Sequence, residues 1–251
     1  MKDAATKLSG PDMAGKVTPA KKRTGKLGTQ MRGKLQADYL ARGKSRYSLW
    51  YAYSPKARAD VVLHGDSQYY HFLLVESDPL VKSASFDAQR HARRIVGDEL
   101  GQLVDAEIRM TDGQFVWRCV RSEVTETLAV KAENLQKLIA HRIHAELPSR
   151  LEVVSGEDTT AQPMRLQNWN RLIPYLAQAR DWPLNEFGNG VATLLHTCQE
   201  VALSDVTALA EPGQEALYIA ALLRGVQFGL FQSNLNETPW GLRSRFWRAG
   251  Q

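Results

Sequence analysis

The stretch from residue 66 to residue 121 limits most strongly what this chain can fold into. Apolar side chains recur at helical spacing over 66–76, and Asp78 followed by Pro79 ends that helix, because proline disfavours a helical backbone in the residue before it. Short apolar segments bounded by Gly and Asp turns come next, at 81–86, 90–96, 104–110 and 115–120. We therefore expect a helix packed against an antiparallel meander.

The segments around this stretch complete an α+β pattern. Alternating apolar residues at 47–53, and further apolar residues at 59–63 beyond a Ser-Pro turn, predict early extended structure. Residues 126–147 have an amphipathic helical spacing, and residues 150–154 predict another strand. Together these elements predict a mixed sheet flanked by helices.

The last third of the chain changes class at about residue 161. Its periodicity is helical over 165–173, 191–202, 205–209 and 214–224. Two short apolar segments at 226–231 and 242–247 then flank a polar turn and predict a hairpin that carries Arg243 and Arg245. Helices followed by such a hairpin resemble a winged-helix module, but they also describe a simple helical packing domain, so both interpretations stay open for residues 161–251.

Positive charge is concentrated at the N-terminus. Residues 1–34 hold nine Lys or Arg against two Asp, which leaves 23 basic against 25 acidic residues in the rest of the chain. Residues 1–33 have almost no large apolar side chains, so we expect a disordered basic arm. The arm is either a solvated tail or a salt-sensitive contact to DNA phosphates through Lys21, Lys22, Arg23 and Lys26.

Several classes of protein are disfavoured by what the sequence contains. No apolar run approaches the ~20 residues of a membrane helix, so we expect a cytoplasmic protein without a membrane partner. Cys119 and Cys198 fall in apolar patterns that predict reduced thiols in the core. A Gly-rich phosphate loop, a nucleophile elbow and zinc-spaced Cys or His residues are all missing from the sequence, which argues against nucleotide hydrolysis, ester hydrolysis and zinc fingers.

Three segments in fixed order resemble a known family: the run from Gln68 to Val81, the Phe86–Gln89 segment, and the strand pair from Asp105 to Arg121. They are similar to the TnsA-like endonuclease subunit of heteromeric transposases, and the resemblance extends from about residue 45 to the end. It implies a restriction-endonuclease-like core over residues 34–160. It also implies DNA as substrate, a transposase or other mobile-element protein as partner, and a nucleoid-associated place in a bacterial cytoplasm.

The family's functional positions are mostly substituted in this chain. The resemblance puts Gln68 where a helical Glu is expected, and Asp105 where a strand-opening Asp is expected. Cys119 and Arg121 stand where a carboxylate or amide and then a Lys are expected. Mg²⁺ prefers oxygen ligands, and Arg stays protonated near neutral pH, so Asp105 is the one ligand kept and the site is expected to be degenerate.

Three functions therefore remain open. The first is a DNA-binding, non-cleaving subunit that needs no cofactor, with DNA contacts also from the arginines Arg90, Arg93, Arg94 and Arg118. The second is an active endonuclease in which Asp66 or Glu107 compensates as a ligand for Mg²⁺. The third is a regulator whose winged helix reads DNA sequence. The arginines named for the first function are equally well explained as surface residues that pair with nearby acidic residues.

Overall fold

The structure is a computed structural model that describes residues 29–43, 47–141 and 146–250. The four candidate DNA contacts of the basic arm, Lys21, Lys22, Arg23 and Lys26, lie outside the described residues. Helix α1 (Thr29–Arg42) opens the described part. No helix in the described ranges is long and apolar enough to cross a membrane.

A hairpin and a helix lead into the central sheet. Strands β1 (Leu49–Ser54) and β2 (Ala59–His64) pair antiparallel, and Gly65, with φ +87°, turns the chain into helix α2 (Asp66–Ser77). The predicted helix over 66–76 is confirmed. It ends as the Asp78–Pro79 sequence requires, because Asp78 is extended and its N–H donates to the carbonyl of Val75.

The central sheet has the order β3-β4-β5-β6. Its strands are β3 (Val81–Ser85), β4 (Ala106–Met110), β5 (Phe115–Val120) and β6 (Arg150–Val154). The first three strands pair antiparallel and β5 pairs with β6 in parallel, so the sheet is mixed. Helix α2 contacts the sheet, and helix α5 (Glu126–Ala140) covers Trp117. The predicted α+β class is confirmed at this level.

The predicted strand over residues 90–96 is wrong. This segment forms helix α3 (Gln89–Val96), followed by the short helix α4 (Asp98–Gly101). Ala92 is buried while Arg90 and Arg93 are exposed, a distribution that suits a helix lying on the protein surface. The apolar Ile95 and Val96 at its end had favoured a strand.

The C-terminal part is helical with a small sheet. Its helices are α6 (Gly156–Thr160), α7 (Pro163–Gln178), α8 (Asn185–Thr197), α9 (Leu203–Thr207) and α10 (Glu215–Gln227). Its strands are β7 (Glu200–Ala202), β8 (Phe231–Ser233) and β9 (Arg245–Arg248), in the order β7-β9-β8 and all antiparallel. An antiparallel pair is present as β8 and β9, but the predicted first strand at 226–231 begins only at Phe231, because α10 extends to Gln227. The sequence did not predict β7, because 191–202 was assigned to one helix.

The largest hydrophobic core joins elements from both halves of the chain. It contains Phe72 of α2 and Trp169 of α7, together with Leu222 of α10. Strand β2 and helix α2 therefore share one core with the C-terminal helices across the predicted boundary at residue 160, while the buried residues of the central sheet form separate clusters. Cys119 is buried as expected, whereas Cys198 is exposed, because helix α8 ends at the residue before it.

Candidate functional site

A cleft of about 870 Å³ lies where the start of α2, the start of β4 and the end of β5 meet. It combines four aspartates with one arginine, one histidine and several neutral groups. The charged and polar side chains that line it are Asp38, Asp66, Asp87, Asp105, Arg121, His64, Gln68, Gln89, Tyr47, Ser67 and Ser122. Three residues that the resemblance singled out, Gln68, Asp105 and Arg121, are thus brought together.

The carboxylate of Asp105 is held by three donors of the protein itself. One oxygen accepts a hydrogen bond from the side-chain amide of Gln68 at 2.9 Å. The other accepts from the backbone N–H of Val120 at 2.7 Å and from the guanidinium of Arg121. The Asp105 side chain is only 6% exposed, and burial raises its pKa, an effect that Arg121 partly offsets. Asp105 is therefore a nearly buried carboxylate with both oxygens engaged.

Gln68 is fixed from both ends of its amide. Its oxygen accepts from the backbone N–H of His64 at 2.8 Å, while its NH₂ group donates to Asp105. This geometry follows from the tight turn at Gly65, which places the first turn of α2 beside the end of β2. A glutamate here would put a second negative charge directly against Asp105, which only a bound cation or a proton would compensate.

Arg121 follows the last residue of β5 and turns back over the strand. Its guanidinium donates to Asp105, to the carbonyl of Val120 at 2.7 Å and to the carbonyl of Gln102 at 3.5 Å. Its side chain is 30% exposed, so part of its donor capacity still faces the cleft. Arg121 therefore neutralises Asp105 and also offers a positive group to an anion.

Cys119 does not line the cleft. Its side chain is fully buried with Leu103 and Leu128, beneath helix α5. Burial raises the pKa of the Cys119 thiol to about 11, so the thiol stays protonated at neutral pH. Alternation along the strand predicted that Cys119 and Arg121 share a face, but it is Val120, not Cys119, that lines the cleft beside Arg121.

The two proposed substitute carboxylates have other partners. Asp66 lines the cleft and accepts from the indole N–H of Trp50 at 2.9 Å. Glu107 contacts Nδ1 of His91 at 2.5 Å and accepts from the indole N–H of Trp117 at 3.1 Å, away from the cleft lining. Among the described residues, no three His, Cys, Asp or Glu side chains form a group that could hold a metal ion.

The candidate DNA-contacting arginines fall into two groups. Arg90 and Arg93 are exposed on α3, which begins at the cleft residue Gln89. Arg94 is also exposed but pairs with Glu146 at 2.8 Å. In the C-terminal part, Arg243 and Arg245 are exposed, and Arg245 lies 3.6 Å from Glu200.

Arg118 belongs to an internal network instead. It donates through Nε to Glu152 at 2.7 Å, on the neighbouring strand, and lies 3.4 Å from Nε2 of His71 on α2. Burial, and to a smaller extent the positive charge of Arg118, lowers the pKa of His71 to about 3. His71 is therefore neutral, and Arg118 holds the sheet to α2.

Sequence reasoning missed a second buried network at the end of α2. Glu76 is fully buried and accepts from the hydroxyl of Ser54 and from the amide of Gln227 at 2.8 Å. Lys56 donates to the carbonyl of Val75 at 2.8 Å and to that of Asp78, which satisfies the end of the helix. Burial raises the pKa of Glu76 to about 7 and lowers that of Lys56 to about 8. The available signal was the Glu76-Ser77-Asp78-Pro79 run, which was interpreted only as a helix end and as part of the family pattern.

The cleft can attract a cation through its aspartates or present Arg121 to a phosphate, and the side-chain chemistry alone permits either.

Comparison with protein-family models, with curated proteins and with solved structures found no match to this chain.

Proposed function

We propose that this protein is a DNA-holding subunit of a transposition or recombination machinery, built on a TnsA-like nuclease fold that no longer cleaves. The observation that carries the proposal is the state of Asp105. Its two oxygens accept hydrogen bonds from Gln68, from the N–H of Val120 and from Arg121. The proposed partners are DNA and a transposase or another mobile-element protein.

The absence of cleavage follows from the chemistry of these donors. Mg²⁺ catalysis needs carboxylate oxygens that face the ion and lower the pKa of an attacking water. At Asp105 a guanidinium already supplies the neutralising charge, and a neutral amide stands at the position of the expected second carboxylate. Arg121 cannot act as a base near neutral pH, whereas a Lys can lose its proton in a suitable environment.

DNA contact is proposed to involve the edge of the cleft and the arm. Arg90 and Arg93 project from α3, next to Gln89 at the cleft. Lys and Arg side chains at such positions neutralise phosphates, and their contribution falls with salt. The body of the protein has two more acidic than basic residues, so local clusters and the basic arm, not the overall charge, would provide the affinity.

An active Mg²⁺-dependent endonuclease is the second candidate, and the cleft composition favours it. Four aspartates line one cleft, and only Arg121 and His64 among its lining residues carry basic groups. A metal ion that displaces Arg121 from Asp105 would need further carboxylates to move toward it, and Asp66 and Asp87 line the same cleft. In this case Mg²⁺ is the cofactor, and Asp105 is the residue on which activity depends.

A DNA-reading regulator has one observation in its favour and one against. The succession α8, β7, α9, α10, β8, β9 with sheet order β7-β9-β8 is the arrangement expected of a winged-helix module. Arg243 and Arg245 are exposed near its hairpin. However, α10, which would enter the DNA groove, is buried over most of its last three turns. We therefore propose the winged module as a packing and assembly unit.

The test is a pair of assays on purified protein. Supercoiled plasmid is incubated with Mg²⁺ or Mn²⁺, and duplex binding is measured by gel shift at two salt concentrations. The proposal expects salt-sensitive binding without nicking, and weaker binding by an Arg90→Glu, Arg93→Glu variant than by an Arg171→Glu control, which alters an exposed arginine on α7. Nicking that disappears in Asp105→Ala would establish the active enzyme instead. Undetectable binding would refute both.

A further inference from the structure

A second concave surface lies in the C-terminal part of the chain and shares no residue with the cleft. This groove, of about 1110 Å³, is formed by one face of α8, one face of α10 and the end of the small sheet. The α8 residues that line it are 185, 188, 189, 192, 193, 196 and 197, and those of α10 are 221, 224 and 225, followed by 228 just beyond the helix, so most are three or four positions apart. Helical spacing of this kind aligns the two faces along one channel.

The groove exposes large apolar side chains. Trp182 is 59% exposed, Leu230 is 64% exposed and Phe228 is 44% exposed, and all three line it. Isolated exposed apolar residues are ordinary, but aromatic and aliphatic groups gathered along a concave surface are typical of a binding site. The floor is well packed, since the ring of Phe231 lies directly against Gly225, where an added Cβ would come within 2.1 Å of it.

The charges on the groove have one sign. Arg224, Arg248 and His196 line it, and none of its lining residues is Asp or Glu. Within residues 29–43, 47–141 and 146–250, neither arginine has an ion-pair partner at salt-bridge distance. A ligand that buried the apolar residues would therefore gain from carboxylates placed to meet Arg224 and Arg248.

We propose that this groove binds a short acidic segment of a partner protein through an aromatic or leucine anchor. The apolar residues would receive the anchor and the two arginines would pair with flanking acidic residues, as in interfaces where buried aromatic and Arg contacts dominate. The chain's own N-terminal arm fits poorly, because nine of its first 34 residues are basic. Duplex DNA is a poorer ligand for this groove than a peptide, because two arginines beside an apolar floor do not form a row of cations that follows a phosphate backbone.

Random peptides of about 12 residues are selected for binding to the wild-type protein and, separately, to an Arg224→Glu variant. This length covers a helix or strand bound in the groove. Peptides enriched on the wild type are then synthesised with a fluorescent label, and their affinity is measured by anisotropy. We expect acidic peptides that contain Trp, Phe or Leu. Arg224→Glu should weaken them about tenfold, whereas Arg171→Glu should not.

Leu230→Ser provides a second test that does not change charge. Leu230 is largely exposed, so its replacement should leave the melting temperature nearly unchanged while weakening the peptides. The proposal is overturned if no acidic peptide is enriched on the wild type, or if the peptides bind the Leu230→Ser protein equally well. It is also overturned if Arg224→Glu lowers duplex DNA binding as strongly as the Arg90→Glu, Arg93→Glu change, since the groove would then serve nucleic acid.

Discussion

Arg121 and the backbone N–H of Val120 donate to the same carboxylate oxygen of Asp105. The second oxygen is taken by Gln68, whose own oxygen is held by the N–H of His64. A cationic side chain and two neutral donors thus neutralise this carboxylate and occupy both of its oxygens. In a metal-dependent nuclease, a metal ion and its water ligands have that role. We therefore expect replacement of Arg121 and replacement of Asp105 to have different effects on stability.

Removing Arg121 should destabilise the protein more than neutralising Asp105. Arg121→Ala leaves a carboxylate that is only 6% exposed without its counter-charge, which should cost about 2–4 kcal/mol. Asp105→Asn keeps one acceptor oxygen but turns an NH₂ group toward another donor such as the amide of Gln68, and it leaves a 30% exposed guanidinium that water can reach, so about 1–2 kcal/mol is expected. Urea unfolding at pH 7 measures both. A larger loss for Asp105→Asn would show that the pair does not act as described.

Introducing the residue types of the proposed TnsA-like pattern should give the cleft a response to metal. In a Gln68→Glu, Arg121→Lys variant, two carboxylates face each other without a guanidinium, so the protein should melt lower than wild type in a chelator. Mn²⁺ or Mg²⁺ should raise its melting temperature, since a ligand that binds only the folded state stabilises it. Wild-type protein should respond less.

Two further variants in that background separate a metal site from unspecific ion effects. Adding Asp105→Asn should abolish the metal-induced shift, while adding Glu107→Gln should retain it, because Glu107 contacts His91 and Trp117 outside the cleft lining. Equal shifts in all backgrounds would mean that the ion acts on surface charge. A strong response of the wild type would favour the active endonuclease.

The sequence predicted those features that depend on neighbouring residues. Helix α2 was recognisable from its apolar spacing and from Asp78-Pro79, and the pair β4 and β5 from the intervening turn. The meeting of Gln68 with Asp105, 37 residues later, was expected only through the resemblance to a family. Cys119 illustrates the limit, because alternation places it on one face with Arg121, whereas Arg121 lies beyond the end of β5 and lines the cleft beside Val120.

The remaining features depend on contacts between distant segments. Glu76 and Gln227 lie 151 residues apart, and no local periodicity connects a buried glutamate on α2 to an amide on α10. Helix α3 was mistaken for a strand because a short surface helix needs only one buried residue, here Ala92, and therefore leaves little apolar pattern. Helix α3 packs closely against α4, and this contact fixes its position.

Replacing Glu76 should change how stability varies with pH. Burial raises the pKa of Glu76 to about 7, so its contribution to stability is present below pH 4.5 and is lost as the pH rises through 7. His71, with a pKa lowered to about 3, acts in the opposite direction and loses stability as the pH falls below 6.5. The two effects oppose each other between pH 4.5 and 6.5 in the wild type.

Glu76→Gln removes one of these opposing contributions. We expect the variant to gain stability relative to wild type as the pH rises from about 4.5 to 7, by on the order of 3 kcal/mol at most. Urea midpoints at pH 5, 6 and 7 measure the difference. Glu133→Gln, at an exposed position paired with Lys137, is the control and should follow the wild type. A constant difference across this range would contradict the shifted pKa.

Gly101 tests whether α3 is positioned by close backbone packing. A Cβ at Gly101 would lie 2.3 Å from the backbone nitrogen of Arg93, so Gly101→Ala must push α3 away and should cost about 1–3 kcal/mol. The matched control is Gly188→Ala on α8, where no atom lies within 4 Å and alanine should stabilise the helix by up to about 1 kcal/mol.

The same substitution also tests the proposed DNA contact. Arg90 and Arg93 project from the helix that Gly101→Ala displaces, so duplex affinity should fall even at temperatures where the variant is fully folded. Gel shifts at low salt, run beside Gly188→Ala, measure this loss against a glycine replacement that leaves α3 untouched. If Gly101→Ala is destabilised but binds DNA as the wild type does, the arginines of α3 contribute charge without a defined position, and the basic arm must carry the affinity.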